Sequence, residues 1–150
     1  MTRVEIDYPK RTLFTCTAAV RISDLSAAMH LGFDSLVCIV NDASAQFFRH
    51  IGLPRERLGG FGPIYADLAV VYRSEAYHGD ELTIDVAAEV GTPKRLDLVF
   101  RVARKESGRE VALARIGVLF FDYREKKVVP IPEEIRKRVG GEATSGKDGR

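Results

Sequence analysis

One stretch constrains this chain more than any other: DSLVCIVNDASAQFFRHI, from Asp34 to Ile51. It is the one long segment with a clear helical period. Leu36, Ile39, Val40, Ala43, Phe47 and Ile51 fall on one broad apolar face, which Val37 and Phe48 widen on one flank. Ser35, Cys38, Asp42, Gln46 and Arg49 occupy the narrow stripe opposite. Asp34 suits an N-cap, because a carboxylate there accepts an otherwise orphan amide. A helix this apolar must be covered, and nearly everything after it reads as strand. The expectation is α+β: one buried helix against a large antiparallel sheet.

The strands follow from alternation. Thr12 to Ile22 places Phe14, Cys16, Ala18, Val20 and Ile22 on one face. Ile64, Ala66, Leu68, Val70 and Tyr72 alternate next, then Leu82 to Val90, then Leu96 to Val102. His78-Gly79-Asp80, Gly91-Thr92-Pro93 and Ser107-Gly108 are the turns between them, and their spacing makes the sheet antiparallel. Glu110 to Asp122 is apolar on both faces, as a central strand would be. Lys127 to Val129 reads as a short edge strand, and Pro132 to Val139 as a short helix with acids in its first turn. Met1 to Arg11 is a polar lead-in, and Ser23 to Phe33 a loop feeding the long helix. The segment with Gly52, Pro54, Gly59, Gly60 and Gly62 turns the chain from helix to sheet; it lacks the Gly-Lys-Ser/Thr ending of a phosphate loop. Residues 1–140 read as a single domain, and the apolar-free end, Gly140 to Arg150, as a disordered tail.

Composition excludes several functions. With 23 basic and 21 acidic side chains, the net charge of +2 gives no nucleic-acid footprint. No apolar run has the length of a signal peptide or a membrane span, so the default location is the cytoplasm. Cys16 and Cys38 read as small buried hydrophobes of a reducing compartment. The three histidines, His30, His50 and His78, have no metal-ligand spacing, so neither metal nor cofactor is expected. No serine stands in a Gly-x-Ser-x-Gly elbow.

The echoes of a known family lie in Val20 to Asp24, Met29 to Leu36, Asn41-Asp42-Ala43 followed by Phe47-Phe48, Val71 to Ile84, and Val129 to Glu134. In this order they resemble the hotdog fold, a long helix wrapped by an antiparallel sheet. More narrowly, they are similar to the acyl-CoA thioesterase family that includes 4-hydroxybenzoyl-CoA thioesterase. The resemblance implies hydrolysis of an acyl-CoA or acyl-carrier thioester in a homodimer or homotetramer, with the pocket between subunits.

The resemblance also gives the site residues their readings. Gly32 and the helix start offer free amides to an oxyanion, or Gly32 only makes the turn. Phe33 stands where relatives carry a polar residue, beside the substrate. His30 holds the carbonyl or a water, or makes one structural hydrogen bond. Asp34 is an N-cap, a catalytic acid, or both. Asp42 is the general base at an interface, where burial would raise its pKa, or a solvated acid paired with Gln46 or Arg49. Lys94, Arg95 and Arg73 are candidates for the CoA phosphates. Tyr72 and Phe61 line an acyl pocket or pack the core. One departure matters: the family's Asp-x-Asp in the pre-helix loop is here Asp24-Leu25-Ser26, so the second acid is missing and Asp24 reads as a turn residue. Two other functions share the fold, a hydratase or dehydratase and a non-catalytic acyl-CoA binding module.

Overall fold

The computed structural model describes residues 2–53 and 60–140. Pro54, Gly59 and the tail beyond Gly140 lie outside the described residues. The elements run β1 (Phe14–Ala19), α1 (Phe33–His50), β2 (Phe61–Tyr72), β3 (Glu81–Thr92), β4 (Arg95–Arg104), β5 (Glu110–Asp122), β6 (Lys127–Val129) and α2 (Glu133–Gly140). Every strand pairing is antiparallel, in the order β1-β3-β4-β5-β2, with β6 added to β5. This is the α+β, sheet-around-helix arrangement of the hotdog fold.

The core forms where α1 meets the concave face of the sheet. Leu36, Val40, Ala43 and Phe47 pack with Leu82, Ile84 and Val86 of β3, Leu98 and Phe100 of β4, and Ile116 and Val118 of β5. These are the alternate positions of each strand, so the period of two in the sequence becomes one buried face. Ile39 is only half-buried. Ile135 and Val139 of α2 close one end of the same core. Gly140, expected in the tail, is the last residue of α2.

β5 lies between β4 and β2 and is buried along most of its length. Its outer face is covered by the chain's own N-terminus. Ile6 packs there on Val99 and Leu113, and Tyr8 lies over the Arg101 guanidinium with 4.4 Å from the carbon to the ring centre. The polar lead-in expected before Arg11 is therefore an arm across the sheet. Only Ile6 and Tyr8 supply its apolar contacts, too few to produce a periodic signal.

Four local expectations change. The strand expected to reach Ile22 stops at Ala19; Ile22 to Asp24 form a single 3-10 turn, because the Asp24 carboxylate accepts the Arg21 amide at 2.8 Å and bends the chain. The helix begins at Phe33, with Gly32 as its N-cap, so Asp34 is a first-turn residue and not the cap. Gly32 has already been turned into place by its amide bond to the Asp24 carbonyl, 2.9 Å, and its own carbonyl accepts the first helical bond from Leu36. Cys38 is exposed and Cys16 half-buried; both are free thiols. Finally, β2 carries a bulge between Tyr65 and Asp67. The bulge breaks the simple alternation: Tyr65 stands opposite Val118 and Leu68 opposite Ile116, both on the helix side.

Candidate active site

The loop before α1 is pinned from two sides. Within it, Leu25 bridges Leu31 and the Ser26 amide bonds the His30 carbonyl at 2.8 Å. Across from it, the Leu31 amide bonds the Ala76 carbonyl, also at 2.8 Å, which ties the loop to the segment after β2. The helix start is thus held by backbone contacts. Gly32 has no side chain to cap the first turn, and no side-chain cap is formed. The amides at positions 33 to 35 stand where a helix has no partner of its own.

The absent side chain matters in a second way. A Cβ on Gly32 would lie 2.7 Å from Oδ1 of Asp34 and 3.7 Å from the Ser26 Cβ. The Asp34 carboxylate therefore lies over Gly32, beside Ser26. Phe33, 72% exposed, projects outward at the same turn. From the sheet, the Tyr72 hydroxyl donates to the Phe33 carbonyl at 3.1 Å. Partial burial of that phenol, and then the nearby Asp34 charge, push its pKa up.

One helical turn further along, a cleft of about 380 Å³ opens between α1 and β2. Val37, Val40, Cys38 and Asn41 form its helix wall, and Tyr65, Ala66 and Leu68 its strand wall, with Ile116 beneath. Tyr65 is anchored there. Its hydroxyl is 2.6 Å from Oγ of Ser44, which is fully buried and donates in turn to the Asn41 carbonyl at 2.7 Å. The bulge is what aims Tyr65 inward.

His30 sits beside the helix start with both nitrogens facing acceptors of its own chain. Nδ1 is 3.3 Å from the Leu31 carbonyl and Nε2 3.8 Å from Glu75, whose other oxygen accepts the Tyr77 hydroxyl. Arg73 adjoins Tyr72 and pairs with Glu110 at 3.6 Å. Asp42 is exposed and accepts Gln46 at 2.8 Å. Its charge is felt towards β1, where burial first and Asp42 second raise the Cys16 thiol. Arg95 is held by Asp67 at 2.6 and 2.8 Å and by Asp97 at 3.0 Å. The Asp67 bond above all lifts its guanidinium pKa further. Lys94 lines a separate recess with Phe61 and Val128. Thus His30, Gly32, Phe33 and Asp34 gather at one end of α1, Arg73 pairs with Glu110 just past β2, and Lys94 and Arg95 lie at the β3–β4 hairpin.

A family model described as the thioesterase-like superfamily matches residues 20–139. The chain belongs to the thioesterase-like superfamily. The match spans the pre-helix loop, α1 and the whole sheet from β2 onward. No curated protein matches the sequence significantly. Among solved structures, Slr0204, a 1,4-dihydroxy-2-naphthoyl-CoA thioesterase from Synechocystis, is similar at 18% identity and a TM-score of 0.78, over 85% of this chain and 96% of that one. SAV2348 from Staphylococcus aureus, in complex with CoA, is similar at 17% identity and TM-score 0.77, over 91% and 86% of the two chains. The gentisyl-coenzyme A thioesterase BH1999 is similar at 18% identity and TM-score 0.73, over 82% and 99%.

For a thioesterase-superfamily chain, three of these residues carry information that sequence reasoning did not use: Ser44, Tyr65 and Glu75. Ser44 looks like a neutral helix residue, and only the bulge across from it reveals its partner. Glu75 stands in a turn region, and its approach to His30 depends on the backbone bond from Leu31 to Ala76. Among the described residues, no group of three His, Cys, Asp or Glu side chains is arranged to hold a metal. Nor, among the described residues, is any helix long and apolar enough to cross a membrane.

Proposed function

We propose that the chain hydrolyses an acyl-CoA thioester, with the carbonyl held at the start of α1. The observation that carries this reading is the adjacency of two features: an uncapped helix start at Gly32 and, one turn on, an apolar cleft. The first-turn amides and the positive end of the helix dipole suit an oxyanion as it forms. The cleft suits the acyl group.

A water attacks the carbonyl carbon, and a carboxylate takes its proton. The carbon–sulfur bond then breaks, and the CoA thiolate leaves and is reprotonated, giving a carboxylic acid and free CoA. Asp34 is the better placed of the two candidate carboxylates for a carbonyl at its own helix start, since it already lies over Gly32. Asp42 is eight residues on, about 12 Å along the helix axis. It suits the base role only for a carbonyl presented by a second copy. His30, with Nδ1 turned to the Leu31 carbonyl at 3.3 Å, fits the task of holding the loop. Arg73, next to Tyr72 in the chain and only loosely paired with Glu110 at 3.6 Å, is the candidate for the CoA phosphates. Arg95 is occupied by carboxylates, and Lys94 lines a different recess.

A homodimer accompanies this reading. β2 is a long edge strand, twelve residues, and exposes Phe61, Tyr65, Leu68 and Tyr72. An open edge of that character pairs with another strand. A second copy seated along β2 would close the cleft and cover the exposed stripe of α1.

The test is turnover of a panel of acyl-CoAs, followed with a thiol-detecting reagent. Asp34→Asn should lower kcat by about 100-fold or more, with KM little changed. A loss confined to Asp42→Asn would move the base to Asp42. Tight CoA-thioester binding with no turnover would replace the hydrolase with a binding module.

A further inference from the structure

We propose that the α1–β2 cleft takes an unsubstituted hydrocarbon acyl chain and not a hydroxylated aromatic ring. This rests on the thioesterase reading above and adds the class of its substrate.

Val37, Val40, Leu68 and Ile116 present branched aliphatic carbon, and Cys38 and Ala66 leave the cleft its width. Three further wall residues carry side-chain polar groups. The Tyr65 hydroxyl gives its proton to Ser44 at 2.6 Å. Both oxygens of Asp67 accept from Arg95, so its charge is already paired. That leaves the Asn41 amide, on the exposed face of α1, with no hydrogen bond to a described residue. A hydroxylated ring laid against Val37, Val40, Leu68 and Ile116 would press its hydroxyl groups on hydrocarbon, at the cost of their lost hydration. A plain chain carries no such penalty and gains from every methylene covered.

The experiment uses CoA thioethers, which bind but cannot be hydrolysed. S-decyl-CoA, S-(4-hydroxybenzyl)-CoA and S-methyl-CoA are titrated into the full chain by calorimetry. S-decyl-CoA should bind about tenfold or more tightly than either of the others. Cys38→Phe, which narrows the cleft from an exposed position, should reduce the decyl-to-methyl affinity ratio about tenfold, and Leu68→Gln should reduce it in the same direction. Equal or tighter binding of the hydroxybenzyl compound, or a ratio unmoved by both substitutions, would overturn the proposal. Turnover is read apart from this: S-decyl-CoA bound tightly while decanoyl-CoA is left intact would remove the hydrolase reading and keep the chain-binding cleft.

Discussion

The carboxylate of Asp34 fills the space that a side chain on Gly32 would need, since a Cβ there would lie 2.7 Å from Oδ1. Two residues that sequence spacing separates by one position therefore form a single feature at the helix start. The obstruction is the mobile end of a side chain, so Gly32→Ala should leave the fold nearly intact, with a rotamer cost of about 1 kcal/mol. The displaced carboxylate should cost more in chemistry, about 100-fold in kcat/KM, as small misplacements of reacting groups do. Thermal melts beside acyl-CoA turnover measure both. A variant with full activity would detach Asp34 from the reaction.

Ser44 is buried and linked at once to Tyr65 and to its own helix. With its proton given to the Asn41 carbonyl, Oγ accepts from the Tyr65 hydroxyl. Ser44→Ala should destabilise the chain by about 1 kcal/mol, because Tyr65 is exposed enough for water to replace the lost partner. Tyr65→Phe should cost a similar amount, and the double variant no more than either single one, since both remove the same bond. Urea midpoints of the three variants decide it; additive losses would mean the bond is not shared.

The parts of this fold that sequence periodicity could express are those in which a repeating pattern meets one continuous partner. Leu36, Val40, Ala43 and Phe47 lie on the core side of α1, and the alternate residues of β3 and β4 meet them. β2 defeats the same logic. Ile64, Ala66 and Leu68 alternate perfectly well as letters, but an extra residue at the bulge turns Tyr65 to the helix side, and no local pattern marks it. The candidate site divides likewise. His30, Gly32 and Asp34 are close in sequence, so their meeting at the helix start was readable. The capture of Arg95 by Asp67 was not, because those two residues meet only through the register of β2 and β4 on either side of β5.

The N-terminal arm makes a prediction about the outer face of the sheet. Ile6 is buried on Val99 and Leu113, and it is the only fully buried residue of the arm. Ile6→Ala should cost about 2 kcal/mol, the low end for a buried aliphatic truncation. Deuterium exchange should rise in residues 2–12 and not in α1, since the arm and the helix lie on opposite faces. Unchanged exchange in the arm would mean that Ile6 does not hold it down.

Gly117 of β5 lies directly beneath the Arg95–Asp67 pair. A Cβ there would collide with the guanidinium and approach the Asp67 carboxylate to 2.6 Å. Gly117→Ala should therefore destabilise by about 1–3 kcal/mol, the usual range for a forced displacement in a packed site. In an Arg95→Ala background the same substitution should cost much less, because the guanidinium is gone and the Asp67 carboxylate, released from it, can swing aside. Denaturant unfolding of the four-membered cycle tests this. Equal costs in both backgrounds would place the strain in the β5 backbone.

Acid should act on that same pair. The hydrogen bond from Arg95 holds the Asp67 carboxyl below its ordinary pKa. A group with a lowered folded pKa stabilises the fold above its unfolded value, near 3.9, and loses that contribution as pH falls through the folded value. Wild type should thus exceed Asp67→Asn in stability at pH 6, and the gap should narrow progressively as pH falls below about 4. Asp67 is more than half exposed, so the gap will be modest and will shrink in high salt. Urea midpoints of both proteins between pH 6 and pH 2.5, at low and high salt, supply the comparison. A gap that widens towards acid would mean that the carboxylate is not the partner Arg95 depends on, and that Asp97 alone keeps the guanidinium over Gly117.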